Sequence, residues 1–134
     1  MQRTGFEKLK VYQLSEVLSD RLWECVCEWG HLAQRTVGEQ LIRAADSVGA
    51  NIAEGYGRGT CNDNRRFVRI ARGSLYETKH FLRRAYRRKL IADEDVDAIK
   101  VLIEELTPKL NAYLNSIGSR TTNNQQPTTN KVPQ

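Results

Sequence analysis

The sequence has few of the residues from which disulfide frameworks and metal centres are built. It contains three cysteines and two histidines among 134 residues. The cysteines are odd in number and lack the spacing of a disulfide framework. On a helix, Cys25 and Cys27 would point to nearly opposite sides, so one metal ion cannot easily take both. We therefore expect free, mostly buried thiols at Cys25, Cys27 and Cys61, with no metal ion and no cofactor.

Long apolar runs are also missing. No segment approaches the ~18 apolar residues that are needed to span a bilayer. The N-terminal segment MQRTGFEKLKVYQ has no apolar core like that of a signal peptide. We expect a cytoplasmic protein without a membrane partner.

Residue sets that carry out catalysis are missing as well. His31 and His80 are isolated, and no nucleophile or carboxylate pair accompanies them. The stretch NIAEGYGRGT, residues 51–60, lacks the lysine and the preceding strand of a phosphate-binding Walker loop. Its glycine spacing also differs from that of a dinucleotide-binding fingerprint. We expect Gly55 to end a helix, the next glycines to form a turn, and the protein not to be an enzyme.

The sequence does have strong helical periodicity. Apolar residues recur every three or four positions in four segments, and no segment shows the alternation typical of a strand. The expected helices cover residues of about 9–30, 37–55, 62–89 and 93–117. Four amphipathic helices with short links predict an all-α fold, an antiparallel up-down-up-down four-helix bundle over residues 1–118.

Polar residues mark the expected helix starts. Thr36 lies three residues before Glu39, which is the spacing of a capping box for the second helix. Thr60 or Asn62 suits the N-cap of the third helix, and Asp93 suits that of the fourth.

Residues 119–134, SRTTNNQQPTTNKVPQ, differ in kind. Thirteen of these sixteen are Ser, Thr, Asn, Gln or Pro. A segment of this composition cannot bury enough apolar surface to offset its ordering entropy. We predict a disordered tail.

The positive charge is concentrated on the expected third helix. Residues 62–89 hold ten basic and two acidic residues, a net charge of +8, whereas the eleven basic and fourteen acidic residues elsewhere give −3. Six of the ten lie three, four or seven positions apart, so they share one side of a helix. These six residues form what we call the basic stripe: Arg65, Arg69, Arg72, Lys79, Arg83 and Arg87.

Two interpretations of the basic stripe are open. Like charges at these spacings cost helix stability, which favours an anionic partner such as the phosphates of RNA or DNA. Arg58, just before the helix, would add an accessory phosphate contact. Alternatively, the stripe is a solvated face that pairs with the acidic residues of the fourth helix. Nothing in the stripe indicates base-specific reading, and the stacking aromatics of RNA-recognition modules are missing.

Two further hypotheses concern packing. Asn51 and Glu54 lie one turn apart near the end of the second helix, and we interpret them as an internal hydrogen-bond network with Ser74 and Glu77 on the third. The third helix is apolar over a wide arc, and Trp23 and Val26 lie away from the main apolar stripe of the first. Spare apolar surface on a small bundle favours self-association.

Two segments carry a family resemblance. QLIRAADSVGANIAEGYGR, residues 40–58, and FVRIARGSLYET, residues 67–78, resemble the bacterial four-helix bundle protein family. That family includes proteins encoded in intervening sequences of large-subunit ribosomal RNA genes. It is similar to the accessory variability determinants of diversity-generating retroelements. The resemblance covers roughly residues 6–118.

The resemblance implies a four-helix bundle that assembles as a homopentameric barrel. For the retroelement relatives it also implies a basic surface that binds nucleic acid and a reverse transcriptase, and it implies no catalytic residues. The chain departs from the family pattern at Gly49, where proline is usual, and at Pro108, which we expect to kink the fourth helix. The third helix is also more basic than is typical.

These observations together predict a non-catalytic, oligomeric nucleic-acid-binding protein that acts as an accessory factor to a reverse transcriptase. The alternatives are a protein–protein scaffold whose basic surface docks an acidic partner, and an intervening-sequence protein of unknown role.

Overall fold

The computed structural model describes residues 2–118, and these residues contain helices and turns but no strand. A 3₁₀ turn at Gly5–Lys8 precedes the first long helix. The four long helices are α1 (Lys10–Cys27), α2 (Glu39–Tyr56), α3 (Cys61–Arg87) and α4 (Asp93–Ser116). The tail predicted for residues 119–134 lies outside the described residues.

The four helices close into a bundle. Each long helix packs against the next one along the chain, and α4 packs back against α1. Each contributes buried aliphatic residues to one continuous core, as illustrated by Leu18, Leu41, Leu75 and Leu106, none of which is more than 1% exposed. The expected all-α four-helix bundle is confirmed.

The start of α2 differs from the expectation. The chain becomes helical at His31, passes through a π-helical segment at Gln34–Gly38 and continues directly into α2. Thr36 is therefore inside a helix, and its hydroxyl donates 2.7 Å to the carbonyl oxygen of Leu32. The predicted capping box at Thr36 is wrong, because a local spacing rule cannot detect a helix that begins earlier.

The sequence had suggested that Gly55 ends α2, and this is wrong. Gly55 is buried inside the helix, which continues to Tyr56. A Cβ atom at this position would lie 2.6 Å from Asn64 Oδ1 and 3.0 Å from Phe67 Cβ, both on α3. Gly55 therefore permits close packing of α2 on α3. The sharp turn falls at Gly59 instead, whose φ of 94° suits glycine.

Of the residues expected to cap the last two helices, Thr60 caps α3 but Asp93 does not cap α4. The hydroxyl of Thr60 accepts a hydrogen bond of 3.2 Å from the Asp63 amide, so Thr60 is confirmed as the cap of α3. Asp93 is not a cap but the first residue of α4, after Ala92. Its carboxylate still lies in the first turn, where negative charge is favourable. Pro108 is inside α4, and the helix extends on both sides of it.

Trp23 and Val26, the two residues of α1 that were expected to lie outside its main apolar stripe, differ in burial. Val26 is buried, and a Cβ at Gly38 would come within 2.9 Å of it, so Val26 belongs to the core rather than to a spare surface. Trp23 is 59% exposed. At Gly49, the position where family members usually have proline, a Cβ would lie 2.8 Å from Ser15 Oγ on α1.

Candidate nucleic-acid interface

The basic stripe lies along the side of α3 that borders α4. Core-facing residues of α3, such as Val68, Leu75 and Leu82, are buried. At 100° per residue, the stripe lies next to this buried face rather than opposite to it. Lys79 and Arg83 accordingly line a groove whose other wall is α4.

Two stripe residues are anchored on neutral oxygens of α4. Arg65 Nη1 donates to the carbonyl oxygen of Ile117 at 2.7 Å, and Nη2 donates to Asn62 Oδ1. Arg72 Nη1 donates to Asn111 Oδ1 at 3.2 Å. These acceptors carry no net charge, so they orient the two guanidinium groups without neutralising them.

The other stripe residues are less constrained. Arg69, Arg83 and Arg87 are exposed. The Lys79 ammonium lies 4.7 Å from the centre of the Tyr76 ring, within the range of a cation–π contact. None of these four side chains forms an ion pair with a residue in the described part of the chain.

Six cations off the stripe do form ion pairs, whereas others off the stripe, such as Arg84 and Arg88, form none within residues 2–118. Residues 2–118 contain ion pairs between Arg3 and Glu16, Arg21 and Asp95, Arg43 and Glu39, Arg58 and Glu54, Arg58 and Asp63, Arg66 and Asp63, and Lys109 and Glu105. Every cation in this set lies off the stripe. The alternative in which the stripe pairs with acidic residues of α4 is therefore not what the structure shows: the α4 acids in these pairs bind Arg21 and Lys109.

Arg58 does not share the properties of the stripe. Its Nη1 lies 3.1 Å from Glu54 Oε2, its Nε lies 3.9 Å from Asp63 Oδ2, and its guanidinium lies 5.0 Å from the centre of the Phe67 ring. Two carboxylates thus compensate its charge. An accessory phosphate contact at Arg58 is not supported by this geometry.

The polar network expected between α2 and α3 does not form. Asn51 donates to the Ser47 carbonyl oxygen at 2.8 Å within α2, and Glu54 binds Arg58. The Ser74 carbonyl oxygen accepts from the Thr78 hydroxyl at 2.8 Å, and Glu77 is exposed. The network was expected because spacing shows which residues share one side of a helix. Spacing does not show how two helices are rotated against each other.

A buried polar pair replaces that network, and sequence reasoning missed it. Asn64 is 2% exposed and Tyr113 is 5% exposed. Their side chains are neighbours, but the amide and the hydroxyl do not reach hydrogen-bond geometry. Burial raises the pKa of Tyr113 to about 12, with a smaller opposing effect from Asn64. The available signal was Asn64 itself, four residues before the core residue Val68.

The groove between α3 and α4 has a volume of about 830 Å³. Lys79, Arg83 and Tyr86 form one wall, and α4 contributes the acidic residues Asp93, Asp97 and Glu104 to the other. Its lining also includes the apolar side chains of Leu82, Val96, Ile103 and Pro108. The groove is thus of mixed charge, whereas the exposed outer edge of the stripe is uniformly positive.

Three further properties concern metal binding, membrane spanning and the cysteines. Within residues 2–118, no group of three or more His, Cys, Asp or Glu side chains is arranged to hold a metal ion. The helices in that range are too short or too polar to cross a membrane. The three cysteines are free thiols, and burial raises the pKa of Cys25. Cys25 and Cys61 are half-buried and Cys27 is exposed, so the expectation of mostly buried cysteines is wrong.

Known proteins resemble this chain in sequence and in fold. The family model of the 23S rRNA-intervening sequence proteins matches residues 7–112. Among solved structures, the chain is similar to a protein with unknown function from the S23 ribosomal protein family of Bacteroides thetaiotaomicron, with a TM-score of 0.69 and 21% sequence identity. The match covers 78% of this chain and 97% of that one, and it shows the same fold. A search of curated proteins finds no match.

Proposed function

The chain belongs to the 23S rRNA-intervening sequence protein family, and from that premise we propose that it is a non-catalytic RNA-binding protein. In this account, the exposed stripe residues Arg69, Arg83 and Arg87 contact phosphates, together with Lys79 and the oriented Arg72. The expected ligand is RNA of the structured kind that an intervening sequence in ribosomal RNA provides. Binding would depend on phosphates rather than on base sequence.

One observation carries the proposal: six cations share one side of α3 and none of them forms an ion pair in residues 2–118, although six cations off the stripe do. A surface that only needed solubility would intersperse both signs of charge. Repulsion along α3 costs some stability, which an anionic partner would offset.

The residue type supports the same ligand. Five of the six stripe residues are arginines, and a guanidinium can hold two phosphate oxygens at once. The Arg72 guanidinium uses one nitrogen on Asn111, which leaves its other nitrogens available. That neutral anchor would reduce the side-chain entropy lost when a phosphate binds.

Self-association is part of the proposal. The large apolar side chains that stay exposed include Trp23 at 59%, Leu32 at 78% and Val101 at 62%. Burying them between copies would remove apolar area from water. We propose the homopentamer that the family resemblance implies. The mass of the particle in solution tests it, because each chain contributes 15.3 kDa.

A ring of copies would repeat the stripe around one particle. Weak phosphate contacts on several protomers then act together, with an effective concentration set by the assembly.

We also propose, more specifically, that the protein is an accessory factor to a reverse transcriptase. This role is supported by the sequence resemblance and by the basic surface. It is tested by measuring direct binding of the protein to a reverse transcriptase encoded near its gene.

A second candidate function is a protein–protein scaffold. The groove between α3 and α4 favours it, because apolar side chains lie between a wall with Lys79 and Arg83 and a wall with three acidic residues. Such a groove suits an amphipathic helix that carries charges of both signs. A pull-down whose partner survives nuclease treatment would favour the scaffold over RNA binding.

The proposal is tested with two charge-matched double variants. Arg83→Gln with Arg87→Gln removes two charges from the stripe, and Arg35→Gln with Arg43→Gln removes two exposed charges elsewhere. We expect the stripe variant to bind labelled structured RNA more weakly and the control to bind like the parent protein. Equal losses would show a general effect of charge. Unchanged binding in both variants would contradict the stripe as the interface.

A further inference from the structure

Two tyrosines stand exposed along the basic stripe. Tyr76 is 56% exposed and Tyr86 is 44% exposed. Helical geometry places both on the stripe side of α3, ten residues and about 15 Å apart. The sequence places Tyr76 in the seven-residue gap of the stripe, between Arg72 and Lys79, but spacing alone does not show that its ring is exposed.

Several other aromatic side chains are used by the fold, although Trp23 on α1 is also exposed. Tyr12 packs against Phe6 with ring centres 4.8 Å apart, and Tyr113 is buried in the core. Tyr76 and Tyr86, in contrast, have no aromatic partner within residues 2–118. More than two fifths of each side chain is exposed, and the Lys79 ammonium lies over one face of the Tyr76 ring.

Cations of the stripe adjoin both tyrosines. Lys79 Nζ lies 4.7 Å from the centre of the Tyr76 ring, which places a positive charge directly beside that ring. Tyr86 and Arg83 line the same part of the groove between α3 and α4. Phosphate-binding groups and flat apolar rings thus alternate along one helix face.

This alternation is the composition that single-stranded nucleic acids require. Their backbone follows a positive surface while unpaired bases stack on aromatic rings. Bases in a duplex are already stacked and would not reach the tyrosines.

We propose that Tyr76 and Tyr86 stack on unpaired bases of an RNA whose phosphates lie on Arg69, Arg83 and Arg87. The ligand is then a single-stranded RNA segment, such as a loop or an end, rather than a continuous duplex. This inference rests on the proposed function, because the phosphate contacts are those of the stripe.

The test distinguishes base stacking from phosphate binding. The probes are a labelled 12-nucleotide oligouridylate and an abasic oligoribonucleotide with the same number of phosphates. We expect the intact protein to bind the oligouridylate more tightly, by roughly 5- to 140-fold for each stacked base. Replacing both tyrosines by leucine should abolish this preference and leave binding to the abasic probe unchanged.

Replacing Tyr76 and Tyr86 by phenylalanine provides the control, because the rings remain while the hydroxyl groups are lost. This variant should keep the preference for the oligouridylate. Thermal unfolding of each variant identifies any that fail to fold, and for these the single substitutions Tyr76→Leu and Tyr86→Leu are measured instead.

The two proposals fail in different ways. Equal binding of both probes by the intact protein, or a preference that survives the leucine substitutions, would overturn stacking and leave the phosphate surface standing. If the intact protein binds neither probe nor structured RNA at low salt, the proposed function itself is wrong.

Discussion

The Arg65 guanidinium donates a hydrogen bond of 2.7 Å to the carbonyl oxygen of Ile117, which lies 52 residues later in the chain. This contact joins the start of α3 to the end of α4. Ile117 is the C-cap residue of α4, where carbonyl groups lack helical partners and a cation is favourable. The basic stripe therefore contains two kinds of residue, some that hold the bundle together and some that are free to bind a ligand.

Arg65 and Arg69 should have separable roles. Arg65→Gln removes a partly buried, charged hydrogen bond, and we expect it to lower the free energy of unfolding by about 1 to 2 kcal/mol. Arg69→Gln, at an exposed position, should leave stability nearly unchanged and weaken RNA binding. Chemical denaturation and an RNA titration on both variants provide the two readouts. A large loss of stability in Arg69→Gln would contradict this division.

Gly55 and Gly73 should respond oppositely to alanine. At Gly55 the new Cβ would lie 2.6 Å from Asn64 Oδ1 and 3.0 Å from the Asn64 carbonyl oxygen. We expect Gly55→Ala to destabilise the bundle by about 1 to 3 kcal/mol through overpacking. A Cβ at Gly73 meets no atom within 4 Å, so Gly73→Ala should stabilise α3 by roughly 0.5 to 1 kcal/mol.

Thermal unfolding of the two glycine variants measures the difference. If Gly55→Ala is as stable as the parent protein, the close approach of α2 and α3 at this residue is wrong.

Burial of Tyr113 should make stability fall at high pH. Its pKa is raised from 10.0 to about 12 by desolvation. Below pH 10 the Tyr113 hydroxyl is protonated in both the folded and the unfolded state, so its contribution to the free energy of unfolding is fully present. Between pH 10 and 12 the unfolded state loses this proton first, so stability should decrease by up to about 1.4 kcal/mol per pH unit from this group.

Tyr113→Phe isolates that contribution, because the variant has no hydroxyl to ionise. The stability of the parent protein minus that of the variant should decrease between pH 10 and 12 and stay constant from pH 7 to 9. Tyr86→Phe, which removes a hydroxyl at an exposed position, is the matched control for loss of a tyrosine hydroxyl. A constant difference for Tyr113→Phe across the whole range would mean that Tyr113 is accessible to solvent in the native state.

Much of the fold could be predicted from local patterns. Apolar spacing identified four long helices because each buries one face in a shared core. Thr60 was recognisable as a cap because its hydrogen bond to Asp63 is local. Gly55 was misread because its contact with Asn64 depends on the packing of α2 on α3. Thr36 was misread because the chain is already helical from His31.

The candidate interface was predictable in its charge but not in its contacts. Spacing placed the six stripe residues on one side of α3. It could not show that Arg72 would meet Asn111, 39 residues away, or that Asp63 of α3 would also approach Arg58. Nor could it show that Tyr76 and Tyr86 would stay exposed, because the same spacing also suits residues covered by α4.

The salt dependence of RNA binding reports how many phosphates the basic stripe contacts. The logarithm of the binding constant is measured against the logarithm of the salt concentration for the parent protein and the two double variants. Each phosphate contact contributes about 0.7 to 0.9 to the slope. We expect a slope of several units. It should be reduced by about 1.4 to 1.8 when Arg83 and Arg87 become glutamine, and unchanged when Arg35 and Arg43 do. A slope near zero, or equal reductions in the two variants, would contradict phosphate binding by the stripe.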